Sequence, residues 1–131
     1  MEKFKFHRLA EMSIFVVTVT INEHIEFRFL LDTGATHSIL DFNAIVFSGC
    51  EIQNLNYHSF IETANGVVSS DMVSISSFET LGIIKNDYAI QVIDFVSQGI
   101  TTDYDGILGL DFLEGYHFCI DTLKEEITIQ E

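Results

Sequence analysis

The chain has 131 residues, 47% of them hydrophobic, with 12 Phe and no Trp; one domain of this size buries about 65–70% of its unfolded surface. Disorder requires low hydrophobicity, and this composition does not have it. With 6 basic against 20 acidic residues the net charge is −14, which argues against nucleic acid or an anionic membrane surface as a partner, since both need clustered Lys and Arg.

Lys3, Lys5 and Arg8 precede an apolar stretch from Ile14 to Ile21. Thr18 and Thr20 interrupt that stretch and no small-x-small cleavage pattern follows, so it reads as a strand rather than a secretory leader. It is also too short to span a membrane. A cytoplasmic location is the resulting expectation. Residues 1–10 are set apart as an N-terminal extension, and residues 11–131 read as a single domain without linker, repeat or low-complexity segment.

Phe15, Val17, Val19 and Ile21 share one face by period two, and Ile25, Phe27, Phe29 and Leu31 repeat the pattern after a turn at Asn22–Glu23. This predicts a β-hairpin whose second strand runs into Asp32-Thr33-Gly34. Ser38 to Leu40 predicts a short strand. Phe42 to Phe47 fits a strand or a turn of helix equally. Tyr57–Glu62 and Val67–Ser77 predict two strands joined through Ala64-Asn65-Gly66, where Asn-Gly favours a tight turn. A strand is expected over Tyr88–Val96. Asp105-Gly106 reads as a turn into Ile107-Leu108-Gly109, followed by a short helix over Leu110–Glu114. Phe118–Ile120 and Ile127–Ile129 predict a closing hairpin. Cys50 and Cys119 lie far apart and lack metal-ligand spacing, so two buried, reduced thiols are expected.

Phe29-Leu30-Leu31-Asp32-Thr33-Gly34-Ala35-Thr36 carries the most chemical information. An apolar strand delivers a carboxylate to its end, a hydroxyl follows to lock the loop, and glycine permits a sharp turn and close backbone approach. A carboxylate on the end of a rigid element suits catalysis. The tripeptide by itself also fits an ordinary turn. Its context, with the downstream Asp105-Gly106-Ile107-Leu108-Gly109-Leu110, is what makes it informative.

With these two motifs in this order the chain resembles the retropepsin-like aspartic peptidases and, more loosely, one lobe of a pepsin-type enzyme. The resemblance covers most of the chain from Phe15 to Ile129. It implies an all-β fold: a closed acid-protease barrel with a flap hairpin and one short helix in the C-terminal half. It implies that Asp32 is catalytic, that Thr33 and Gly34 support its loop, and that Ile107, Leu108 and Gly109 interlock with that loop from below. Gly34, Ala35 and Thr36 would line the floor of a peptide cleft, and Ala64, Asn65 and Gly66 the flap above it. Because the motif occurs once, the resemblance further implies a homodimer in which two Asp32 side chains hydrolyse a peptide or protein substrate, with no metal and no cofactor. A catalytically silent peptide-binding or dimerisation module is the alternative. Leu110-Asp111-Phe112-Leu113 replaces the residues that follow the hydrophobic-glycine motif in viral members, which places the chain nearer cellular and bacterial ones. Asp105 and Asp111 read as a turn residue and a helix-start residue, and His37 as a cleft-rim or structural residue, with a pH-sensing role as the alternative.

Overall fold

Alternation of β-branched and aromatic residues drives the architecture. The computed structural model describes residues 2–8, 15–63 and 66–130. In β3 (Phe15–Ile21), Val17, Val19 and Ile21 are buried while Thr18 is exposed; in β4 (Ile25–Leu31), Phe27, Phe29 and Leu31 are buried and Glu26 and Arg28 exposed. The turn between them places Asn22 at φ 53° and Glu23 at φ 73°, and the Asn22 amide donates to the Glu51 carbonyl at 2.9 Å.

The remaining barrel strands are β5 (Ile39–Asp41), β7 (Gly66–Thr80), β8 (Ile83–Ile93) and β9 (Gly106–Leu108). Pairing runs β3-β4-β9-β5-β8-β7 and returns to β3 through Thr20↔Glu79 and Ile21↔Phe78, which closes six strands into a barrel. β7 is 15 residues long. Its second half belongs to the barrel, and its first half pairs with β6 (Gln53–Thr63) as a projecting hairpin. The main core fills the barrel, with Phe29 edge-on to Phe78 at 5.6 Å between ring centres.

Outside the barrel, β1 (Glu2–Lys5), β11 (Glu126–Gln130) and β10 (His117–Asp121) form a three-stranded sheet, and β2 (His7–Arg8) pairs with β3. Phe6, between β1 and β2, is 2% exposed in the main core, and its N–H donates to the Glu125 carbonyl. No helix among the described residues is long and apolar enough to cross a membrane.

Three expectations are settled or corrected. First, Phe42 to Phe47, which the sequence leaves open between strand and helix, is helical as α1 (Phe42–Ser48), beside the short C-terminal-half helix α2 (Leu110–Leu113). Asp41 caps α1 by accepting from the Asn43 N–H, and Gly49 ends it at φ 69° with its N–H on the Ile45 carbonyl. Only Ile45 of α1 is buried, so no amphipathic period marks the helix in the sequence. Secondly, the strand expected from Tyr88 begins at Ile83, because Leu81 and Gly82 form a two-residue turn with both residues at positive φ. Thirdly, Cys50 is buried but Cys119 is exposed, on the outward-alternating side of β10.

Candidate active site

The loop bearing Asp32 is built by β9 wedged between two strands. β9 runs parallel to β4, with Leu31 opposite Leu108, and antiparallel to β5, with Ile39 opposite Ile107. The Asp32 N–H continues the first ladder onto the Leu108 carbonyl at 3.0 Å. The chain then turns back, with the Ala35 N–H on the Asp32 carbonyl at 3.1 Å. The Gly34 N–H donates to Asp32 Oδ1 at 2.9 Å, so the carboxyl is fixed by its own loop. The outgoing limb docks on α2: Leu110 N–H donates to the Ala35 carbonyl at 2.8 Å and Asp111 N–H to the Thr36 carbonyl at 3.2 Å.

Gly109 makes this docking possible. A Cβ there would stand 2.8 Å from the Ala35 oxygen and from both the carbonyl carbon and oxygen of His37. A polar cluster lies behind it. Ser38 Oγ accepts from the Gly109 N–H at 2.9 Å and donates to Asp111 Oδ1 at 2.8 Å; the Tyr88 hydroxyl donates to Asp111 Oδ2 at 2.8 Å. Burial pushes the Tyr88 phenol well up, and the Asp111 carboxylate adds to the rise against the opposing hydrogen bond with Ser38. Tyr88 therefore stays a protonated donor. Lys85 Nζ donates to the Phe112 carbonyl at 2.9 Å. Burial lowers the Lys85 ammonium, and the Asp111 and Glu114 carboxylates oppose that.

Asp32 opens on a cleft of about 430 Å³. Gly34, Ala35, Thr36 and His37 line it beside Asp32, and Phe60, Ile61, Glu62 and Thr63 of the β6–β7 hairpin line it from across. Ile39, Gln91, Ile93, Ile100 and Ile107 form the rest of the wall. Ile107 thus faces the cleft, whereas Leu108 is fully buried and Gly109 is packed under the loop. Thr33 is exposed on the loop, and His37 Nδ1 lies 3.0 Å from Thr36 Oγ1. Gly66 pairs with Thr63 at the hairpin end, where Thr63 Oγ1 donates to the Gly66 carbonyl at 2.8 Å, and it is not among the described cleft residues. Ala64 and Asn65 lie outside the described residues.

Asp105 and Asp111 are both committed elsewhere. Asp105 Oδ2 accepts from the Arg28 N–H at 2.9 Å, while its own N–H donates to the Arg28 carbonyl and its carbonyl accepts from Asp41. Gly106 is not a turn residue as its sequence suggested; it begins β9. A Cβ on it would meet the Phe29 ring at 2.5 Å. Ser38, Tyr88, Gln91 and the Phe60–Thr63 wall had no motif to mark them. Period-two alternation around Ile39 and Ile93 was visible, but only strand register brings those faces together.

An aspartyl protease family profile matches residues 17–112. Over 116 residues the sequence is 28% identical to the retrovirus-related Pol polyprotein from transposon 412 of Drosophila melanogaster; the match takes in 88% of this chain and 9% of that polyprotein. The chain therefore spans less than a tenth of that relative's length. The fold is similar to a retropepsin-like aspartic protease from Rickettsia conorii, with a TM-score of 0.64 at 19% identity, covering 98% of this chain and 90% of that one. It is also similar to the retroviral protease-like domain of Ddi1 from Leishmania major (TM-score 0.58, 21% identity, 92% and 91% covered). A third similar structure is EIAV protease complexed with the inhibitor HBY-793 (TM-score 0.56, 20% identity, 82% and 92% covered). With the profile spanning most of the barrel and the fold shared along the chain, this protein belongs to the aspartyl protease family and has a retropepsin-like fold.

Proposed function

We propose that the chain is an aspartic endopeptidase acting as a homodimer, with two Asp32 side chains meeting across a two-fold axis. The observation that carries this reading is Asp32 itself, which lines the cleft with its Oδ1 pinned by the Gly34 N–H. The position of the β6–β7 hairpin across the cleft supports an extended peptide as substrate, bound like an added strand. Gly34, Ala35 and Thr36 form its floor, and Phe60 to Thr63 of the hairpin face it from across. Thr33, exposed on the loop, is free to reach the facing loop of the second copy.

Two carboxyl groups at such close range cannot both ionise near neutral pH, so the pair holds one proton. The ionised member takes a proton from a water held between them, and the water oxygen bonds to the scissile carbonyl carbon. The protonated member gives its proton to the carbonyl oxygen. Collapse of the tetrahedral species breaks the C–N bond as a proton passes to the leaving amine. Gly109 and the Ser38–Asp111–Tyr88 cluster hold the loop in place for this step and touch no reacting atom.

Peptide cleavage over a range of pH, comparing wild type with Asp32→Asn, tests the reading. Cleavage by the wild type only, together with a dimer in sedimentation, is the expected result. Equal cleavage by both proteins removes Asp32 from the mechanism. A dimer that binds peptides without cutting them points to the catalytically silent module instead.

A further inference from the structure

The part of the cleft wall built from β5, β8 and β9 is apolar except at Gln91. Ile39 and Ile93 belong to a second buried cluster, with Ile61, Ile100 and Ile107 packed against it, and all five also line the cleft. Gln91 lies in the same wall and is 4% exposed. Register explains its direction: β5 pairs Ile39 with Gln91, and Ile93 follows two residues along β8 on the same side of the sheet.

A buried side-chain amide ordinarily has its donors and acceptor satisfied. Among the described residues, the Gln91 side chain makes one contact, Nε2 to the Phe60 carbonyl at 3.5 Å, beyond the usual range for an N–H···O bond. No described group donates to its oxygen, which keeps contact with the open cleft rather than being sealed in the core. One other polar group on this sheet face is buried without a partner. Met72 stands opposite Gln91, and Ser70, two residues away on β7, is 2% exposed with no partner for its hydroxyl. The amide therefore meets the cleft with its oxygen open and its N–H weakly held, so a polar group of a ligand can engage both.

We propose that Gln91 is a specificity-determining residue whose amide pairs with an uncharged amide side chain, Asn or Gln, of the bound peptide. This rests on the reading of the cleft as a peptide site. An amide offers a donor and an acceptor together, matching what Gln91 has unused. A substrate carboxylate would meet Asp32 and Glu62 in the same cleft. A substrate ammonium carries donors only, so it would leave the Gln91 N–H groups without an acceptor and would be desolvated among isoleucines.

Peptide libraries in which each position carries Gln, Asn, Leu or Glu test the proposal with wild type, Gln91→Leu and Gln91→Met. At one position the wild type is expected to prefer Gln or Asn over Leu by about tenfold or more in kcat/KM, and both variants to lower that ratio about tenfold. The same ratio is read in binding, by fluorescence anisotropy on Asp32→Asn with and without Gln91→Leu. Discrimination in binding without cleavage by the wild type sinks the endopeptidase reading and leaves this one standing. Cleavage with no amide preference at any position, or a preference that survives both Gln91 variants, overturns the proposal. So does a library in which no peptide shows an amide preference in either assay.

Discussion

Gly109→Ala isolates the interlock between β9 and the Asp32 loop. Gly109 sits at φ −99° and ψ −176°, extended backbone open to any residue, so the change introduces a methyl group without torsional strain. That methyl would lie 2.8 Å from three backbone atoms of Ala35 and His37, whereas ordinary contact begins at 3.4 Å. The difference, 3.4 − 2.8 = 0.6 Å, is the distance by which loop and β9 must separate. No side chain can rotate away, because every atom in the way is backbone. The separation strains the Leu110-to-Ala35 and Asp111-to-Thr36 hydrogen bonds, which hold the outgoing limb. Overpacking of this kind costs about 1–3 kcal/mol. For a domain of this size that lowers Tm by roughly 3–12 °C. Misplacing a catalytic group by about 1 Å can cost about 100-fold in rate, so a shift of half that size predicts a loss of roughly tenfold in kcat/KM. Differential scanning calorimetry and peptide kinetics on the purified variant give the two numbers. A Gly109→Ala protein with wild-type Tm and wild-type kcat/KM would refute the interlock as the device that positions Asp32.

Ser38→Ala leaves the buried Gly109 N–H and Asp111 Oδ1 each without its partner, and a loss of about 1–3 kcal/mol in urea unfolding is expected. Acid sensitivity follows from three carboxyls held below their ordinary values: Asp94 first by the Asn43 amide, Asp121 first by the Lys124 N–H, and Glu126 first by Lys5. The unfolded chain keeps protons that these groups release in the folded state, so their stabilisation is present above the ordinary values of 3.8 and 4.5 and is lost as pH falls through the lower folded ones. The urea midpoint should drop between about pH 5 and about pH 3, and Asn43→Ala should flatten part of that drop. In brief treatment with iodoacetamide, mass spectrometry should find Cys119 alkylated well before Cys50, which is buried and whose thiol is pushed up by burial and by Glu51.

The parts of this protein legible in its sequence are those decided over a few residues. Alternation from Phe15 to Leu31 marks a hairpin, and Asp32-Thr33-Gly34 marks where its second strand delivers a carboxylate. The illegible parts depend on pairings between distant segments or on locally unfavourable backbone. Helix α1 leaves Phe47 96% exposed, so hydrophobic period carries no trace of it, although Asp41 and Gly49 mark both ends. Leu81 takes a conformation that favours glycine, which hid the start of β8. Gly106 and Gly109 look alike in the motif, yet one makes room for the Phe29 ring and the other for the loop backbone. Ser38, Tyr88 and Gln91 gain their roles from the β5–β8 register and the position of α2, neither of which any short window encodes.

Where the second carboxyl comes from decides the mechanism. Asp111 spends both carboxylate oxygens on Ser38 and Tyr88, Asp105 accepts from the Arg28 N–H, and neither lines the cleft with Asp32. Among the described residues of one chain, the other acidic residue lining the cleft is Glu62, on the far hairpin. In the proposed dimer the second carboxyl is Asp32 of the other copy. Mixing wild type with Asp32→Asn under conditions of subunit exchange separates the two. If both copies must supply Asp32, activity follows the square of the wild-type fraction, and an equal mixture retains about a quarter of it. If Glu62 completes the pair within each chain, activity follows the fraction itself and about half remains. Two chains of net charge −14 also repel each other, so added salt should tighten association and raise specific activity at low protein concentration. A linear mixing curve, or specific activity independent of protein concentration down to where sedimentation finds only monomer, would place both catalytic groups in one chain and defeat the shared-dyad proposal.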